Sequence, residues 1–458
     1  MTTRQESDSL GTVQVPADAL YGAQTQRAVE NFPISGSSLP EPFIRALLVV
    51  KSAAAHSNTA LKSIPAEIGE AIQEAAKALL ADPGLMRHFP VDVYQTGSGT
   101  STNMNANEVL ATSAAMICGL DVSPNDHVNC AQSSNDVIPT CIHVSAAIAL
   151  TRDLLPAIAH LESSIREKAT LVHHHIKTGR THLMDAMPVR LSQPLIAWAD
   201  QLAAASLRLE NLMPELLALA QGGTAVGTGV NASDDFAQAF CYRLAAMTDL
   251  PFTVAANPFT RIGAQDVSVA LSGALKALAT TVMKISNDLR WMNSGPLAGF
   301  SEIELEALQP GSSIMPGKVN PVIPEAAAMV SAQVVGNDAA ITVAGQSGNF
   351  ELNVMLPLIA HNLLSSIESM AGVLPLLADR AIATFKVNGA SLESALTRNP
   401  ILVTALNPII GYAEAARIAK LAYSEGLPII DVAVRETAIS RAELAQLLDP
   451  AGLTGSPD

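Results

Sequence analysis

Along most of the chain, apolar residues recur at alternating steps of three and four, the spacing that gathers them on one face of an α-helix. Ile158, Leu161, Ile165, Ala169 and Val172 form one such stripe, and Leu195, Trp198, Leu202, Ala205, Leu209, Leu212 and Leu216 form a second. Leu271, Leu275, Leu278, Val282, Ile285 and Leu289 form a third. Each stripe needs a partner helix. Steps of three and four held over several turns favour shallow crossings, so the pattern predicts long, near-parallel helices in a bundle. A further helical run is predicted from Pro324 to Leu374, interrupted at Gly345–Asn349 where Gly, Ser and Asn cluster. Pro156 and Pro214 fall inside helical patterns and should kink or interrupt them. Ser192 and Pro194 suit the cap and opening turn of the second-stripe helix. One short strand or hairpin is predicted near Leu10–Pro16, and little else argues for a sheet. The expected fold class is therefore mainly all-α: an N-terminal domain over residues 1–130, a central long-helix bundle over 131–387, and a small helical domain over 388–458. These boundaries rest on changes of pattern, since neither a low-complexity linker nor an internal repeat is visible.

Composition sharpens this picture. Of 458 residues, 49% are hydrophobic and only 15% charged, against roughly 25% charged in an average soluble protein. So little charge to coat a chain of this size points to apolar surface covered at subunit interfaces. The 27 basic and 42 acidic residues leave a net charge of -15, which repels polyanions and argues against nucleic-acid binding. No unbroken apolar run reaches the roughly 18 residues a membrane span needs, and the start, Met1 to Val13, is polar where a signal peptide would be apolar. The expectation is a cytoplasmic protein with no membrane partner. Cys118, Cys130, Cys141 and Cys241 show no CxxC pairing and read as small buried hydrophobes rather than a disulfide framework.

Four islands of small polar residues interrupt the apolar pattern. The first, QTGSGTSTN from Gln95 to Asn103, combines glycines that allow unusual backbone angles with hydroxyls and amides able to hold a carboxylate; alone it is also an ordinary turn. The second, QSSND from Gln132 to Asp136, opens a long helix, where free N–H groups and the helix dipole favour an anion. Taken alone, the island reads first as simple capping by Ser134, Asn135 or Asp136. The third, Gly179-Arg180-Thr181-His182, carries a histidine whose pKa suits proton transfer at neutral pH. The neighbouring His173–His175 run does not read as a metal site, because adjacent helical residues diverge by about 100 degrees; it is read as solvated helix surface. The fourth, from Gly311 to Glu325, packs two glycines, three prolines, two serines, Lys318, Asn320 and Glu325 into fifteen residues. Here the serines are nucleophile or base candidates, Lys318 and Asn320 can grip an oxyanion, and Glu325 can orient a base.

GSSIMPGKVN, Gly311 to Asn320, resembles the signature loop of the fumarase/aspartase superfamily. TGSGTSTNMNANEV, NDHVNCAQSSNDVIPT, GRTHLMDAMPV, YGAQTQRAVENFPISG and GNFELNV resemble its other site segments, so the likeness covers essentially the whole chain. Within the superfamily it is closest to class II fumarate hydratases, which carry His in the GRTHL segment where aspartases typically carry Gln; here the residue is His182. The resemblance implies reversible anti addition of water to fumarate, giving (S)-malate, in the tricarboxylic acid cycle, without metal or organic cofactor. It implies Ser312 as the base, His182 held by Glu325 as the group handling the proton of the attacking or leaving water, and an aci-carboxylate intermediate. Thr100, Ser133, Ser134, Asn135, Thr181, Lys318 and Asn320 would grip the carboxylates, with Ser98 and Ser313 as further contacts. It also implies a homotetramer with each site assembled from three subunits. Two positions depart from the family pattern. Leu120 and Ser123 stand where some members place Arg and His for a second dicarboxylate site, so that site is expected to be weakened or absent. Pro194 follows Gln193 where Glu is usual, which bears on the helix start. The rival readings are an aspartate ammonia-lyase, suited by Pro321–Glu325 and Gly336–Asp338, and a non-enzymatic scaffold of the lens-crystallin kind.

Overall fold

A computed structural model describes residues 2–455; residues 1 and 456–458, the outermost ends of the first and last predicted domains, lie outside it. The fold is all-α apart from small two-stranded pairings. The chain opens with the expected hairpin, β1 (Thr3–Asp8) antiparallel to β2 (Gly11–Pro16). Helices α1 (Ala23–Asn31), α2 (Glu41–Ala60), α3 (Ala66–Ala81), α4 (Thr100–Cys118), α5 (Ser134–Ala149) and α6 (Leu155–Leu171) follow. A second hairpin, β3 (Ile176–Thr181) with β4 (Met184–Arg190), precedes α7 (Ser192–Leu216), α8 (Phe236–Thr248), α9 (Phe259–Ile262) and α10 (Asp266–Met292). Then come α11 (Val322–Gly345) and α12 (Leu356–Leu377), separated at the predicted Gly/Ser/Asn interruption. Shorter helices complete the chain.

The three apolar stripes are buried almost without exception: Leu271, Leu275, Leu278, Val282, Ile285 and Leu289 are fully so, and of the other two only Leu212 is part-exposed. Burying each leucine is worth about 1.5–3 kcal/mol, so the stripes carry much of the stability of these helices. Pro156 has no N–H to offer the preceding turn, and α5 passes into α6 through one wider, π-type turn at Leu150–Leu154. Pro214 sits two residues before α7 ends.

The chain forms two compact units whose boundaries fall inside long helices: the chain up to Pro156 with Ala205–Ala279 and Val330–Ala371, and Ala157–Ala204 with Thr280–Met329 and the chain from Gly372. The core of the first centres on α2, where Phe43, Ile44, Leu47 and Leu48 are buried with α3, α5 and α8 against the helix. In the second, the C-terminal helices pack around a core of their own that includes Leu402, Leu406, Ile418, Val432 and Leu444.

Several local expectations change. His173 and His174 are exposed but lie in a turn beyond the end of α6, not on a helix, because the apolar stripe stops at Val172. The Ser192 hydroxyl pairs with His173 Nδ1 at 3.2 Å, and Gln193 Oε1 instead accepts the Arg190 N–H. Besides the first hairpin, three further strand pairings occur among the described residues, including Ala218–Leu219 with Thr253–Val254 and Ile303–Glu304 with Lys386–Val387. Cys141 and Cys241 are buried, whereas Cys118 and Cys130 are part-exposed; all four are free thiols. Ser134–Leu171, Asp266–Met292 and Val322–Gly345 are long and apolar enough to cross a membrane by length and composition, although no unbroken apolar run is. Two of them are tied by polar contacts: Asp338 of α11 accepts from Ser272 and Lys276 of α10 at 2.8 and 2.6 Å.

Candidate active site

In the first unit, the polar islands form the opening turns of α4 and α5. Gly99 caps α4 with a left-handed φ of 73°, and a Cβ there would meet the Ile138 side chain of α5 at 2.9 Å. At Gly97 a Cβ would meet the Val354 carbonyl at 1.8 Å, and the Gly97 carbonyl accepts from Leu356 N at 3.0 Å. Only glycine permits these two approaches. Between them Ser98 is buried, its hydroxyl 2.7 Å from that of Thr100.

The cap of α5 is Ser133, one residue earlier than expected. Ser133 and Asp136 form a reciprocal capping box, because a serine in extended conformation can reach the free amides one turn ahead. Asp136 is fully buried and accepts from Ser133 N, Gln221 Nε2, Gly222 N and Thr224 N. Burial pushes its pKa up to about 6, against the pull of those backbone donors. Asn135 Nδ2 donates to the Ala225 carbonyl at 2.8 Å. Asn103, buried on α4, donates to Ser134 Oγ at 3.0 Å and so joins the two islands. Its place one turn after Thr100 on the same helix face was the available sequence signal.

In the second unit, Thr181 and His182 lie at the tip of the β3–β4 hairpin, a placement that helical periodicity does not reveal. His182 and Leu183 are the two central residues of the turn, both with positive φ, 56° and 60°, the geometry of a type I′ hairpin. Thr181 and His182 are exposed. The stem is clamped from below: buried Glu302 accepts from Lys177 Nζ and Arg180 Nη2, each at 2.6 Å, and Arg180 lies over the Phe300 ring at 4.1 Å. Burial lowers the Lys177 pKa, with Glu302 opposing the shift.

The fourth island is an open loop leading into α11. Gly311 N donates to the Lys318 carbonyl and Asn320 Nδ2 to the Gly311 carbonyl, both at 2.7 Å, tying the loop ends together. Inside this loop the Ser312 hydroxyl oxygen accepts from Ile314 N at 3.2 Å and Met315 N at 3.0 Å. Two convergent N–H donors favour negative charge on that oxygen. Ser313 and Lys318 are exposed; Ser312, Asn320 and Glu325 are half-buried. Lys318, Asn320 and Glu325 border a cavity of about 400 Å³ together with Asn287, Arg290 and Asn293, three residues the sequence reading did not single out because they end the third apolar stripe.

One chain does not join Glu325 to His182 by a hydrogen bond or ion pair, so the expected hold on the imidazole is not made within it. A tip residue on a two-residue turn projects away from its own stem. At the departing positions, Ser123 Oγ pairs with Asp126 and Ser123 N with His127 Nδ1, while Leu120 is exposed. Among the described residues, no group of three or more His, Cys, Asp or Glu side chains is placed to hold a metal ion.

A family model described as Lyase matches residues 11–336, and one described as Fumarase C C-terminus matches 402–455. The chain is 64% identical over 452 residues to "Fumarate hydratase class II 2" of Pseudomonas aeruginosa, covering 99% of this chain and 98% of that one. It is 55% identical to the class II fumarate hydratase of Xylella fastidiosa strain Temecula1, over 98% and 95% of the two chains. The crystal structure of class II fumarase from Schistosoma mansoni superposes with a TM-score of 0.95 at 35% identity, covering 99% of both chains. With the matched segments running through every polar island, the chain belongs to the fumarase/aspartase superfamily of lyases, in its class II fumarate hydratase branch.

Proposed function

We propose that this protein is a fumarate hydratase that adds water reversibly to fumarate to give (S)-malate, as a cytoplasmic enzyme of the tricarboxylic acid cycle. The observation that carries the chemistry is the pair of loop amides aimed at Ser312 Oγ. In the dehydration direction the Ser312 alkoxide takes a C3 proton from malate, and the electron pair moves into the adjacent C4 carboxylate to give a dianionic aci-carboxylate. Collapse of that intermediate forms the C2–C3 double bond and expels the C2 hydroxyl, which leaves as water with a proton relayed from His182. The C3 proton is very weakly acidic, so most of the barrier lies in the added negative charge. Lys318 and Asn320 on the loop, Thr100, Ser133, Ser134 and Asn135 at the helix starts, and Thr181 beside the imidazole would stabilise that charge, with Ser98 and Ser313 as further contacts. His182, exposed and without a protein partner among the described residues, is free to hold a water, and Glu325 of another subunit would orient it.

This reading requires a homotetramer in which three subunits contribute to each site. Its support is the exposed face of α11, where Met329, Ala332, Val335, Gly336, Ala339 and Val343 meet solvent in an isolated chain; small and apolar residues on a long helix suit close packing against copies of itself. The three predicted segments, 1–130, 131–387 and 388–458, would then be a site-bearing N-terminal domain, the bundle that assembles, and a peripheral domain. Purified protein offered malate and aspartate separately, with fumarate formation followed by absorbance, tests the activity. Fumarate from malate alone is expected; fumarate from aspartate would make the protein an ammonia-lyase, and formation from neither would leave only a scaffold role.

A further inference from the structure

The cavity between the end of α10 and the start of α11 is bordered by two cations and one carboxylate. Arg290, in the last turn of α10, and Lys318, on the Ser312 loop, are both exposed there. Lys284, earlier on α10, is paired with Asp288, whereas neither Arg290 nor Lys318 has an ion-pair partner among the described residues. Arg290 donates only to a neutral oxygen, Asn287 Oδ1 at 3.1 Å. The carboxylate is Glu325, which the proposed function assigns to His182 of another subunit.

The amides around the cavity are turned to donate as well. Asn287 Oδ1 faces the guanidinium, and Asn293 Oδ1 accepts from Leu305 N at 2.8 Å. With both oxygens engaged, each side chain keeps an Nδ2 that has no acceptor among the described residues, and both asparagines border the same cavity. Two unmatched cations and two spare amide donors make a set suited to an anion, and the planar fork of a guanidinium matches a carboxylate in particular. The molecule as a whole opposes such a ligand. Its net charge of -15 repels a dianion at long range, so attraction must come from cations that face the site without a counter-charge. A simpler role for Arg290 is to offset the negative end of the α10 dipole; that role requires neither the Ser312 loop nor the turned amides.

We propose that Arg290 is a further substrate-binding residue, sharing with Lys318 the carboxylate that the Ser312 loop receives. Asn287 sets the direction of the guanidinium, and Asn293 donates beside it. The proposal rests on the dicarboxylate reading above and adds a contact to it.

Succinate inhibition of malate dehydration, and kcat/KM for malate, are measured for the assembled wild type, Arg290→Leu and Arg290→Lys. Arg290→Leu removes one charge-assisted pair and is expected to raise the succinate inhibition constant about 10-fold. It should lower kcat/KM at least as much, because the intermediate carries more negative charge than the substrate. Arg290→Lys keeps the charge and loses the fork, so its inhibition constant should rise only about 3-fold. A dipole role alone would lower the urea midpoint of Arg290→Leu and leave succinate binding as in the wild type. An unchanged inhibition constant in Arg290→Leu, or a lysine variant no better than the leucine one, overturns the proposal. If Arg290→Leu does not assemble, Arg290→Gln carries the same criteria. A wild type that does not dehydrate malate refutes the functional reading instead, before any variant is compared.

Discussion

In the proposed mechanism, loop geometry prepares the weakly acidic Ser312 side chain for base chemistry. Its hydroxyl lies between two backbone amides in a loop closed by Gly311–Lys318 and Asn320–Gly311 bonds, so negative charge on Oγ is solvated before substrate arrives. Ser312→Ala is expected to lower malate turnover by at least about 10²-fold, or roughly 3 kcal/mol of barrier, in steady-state assays; near-normal turnover would remove Ser312 from the role. Lys51 makes a separate prediction about stability. Burial lowers its pKa from 10.5 to about 7, so between these values the unfolded chain binds more protons than the native one, and stability rises with pH. The penalty for burying the charge is complete below about pH 7 and gone above pH 10.5. Urea unfolding between pH 7 and 10 should show this rise, on the order of a few kcal/mol, and Lys51→Met should flatten it.

Among the elements, the helices follow from local periodicity, whereas the hairpin that carries His182 depends on distant partners. Its β3 strand, IKTGRT, shows no clean alternation of apolar and polar residues, and a register break at Thr178/Arg180 twists it. A Cβ on Gly179 would meet the Met187 carbonyl at 2.5 Å, so the pairing itself demands glycine there. What fixes the stem is Glu302, more than a hundred residues downstream, with Lys177 and Arg180 bound to its two oxygens. Glu302→Gln leaves two largely buried cations without their counter-charge. It should cost about 3–5 kcal/mol in denaturant unfolding and, by loosening the tip, reduce turnover more than substrate affinity. Retention of full stability would show that Lys177 and Arg180 find other partners. The cap of α5 has the same character: the sequence offered Ser134, Asn135 and Asp136, but the backbone angles put Ser133 at the cap.

For the whole molecule, the proposed homotetramer would account together for the shortage of charge and the exposed small-residue face of α11, by covering apolar helix surface with other copies of the chain. Activity should therefore depend on assembly. Mild denaturant or dilution that yields folded monomers, followed by light scattering and helical circular dichroism, is expected to abolish turnover; a fully active monomer would refute sites shared between subunits. The sequence by itself determined the helices, their buried stripes and the four polar islands, because each is a matter of residues within a few turns of one another. It also carried the family signature, since those islands keep their order and chemistry. Only the tertiary structure decided that His182 stands on a two-residue turn, that Asn103 links the starts of α4 and α5, and that Lys51 lies buried against the neutral amides of Asn129 and Gln132. Those arrangements depend on which distant segments meet, and no local pattern records that.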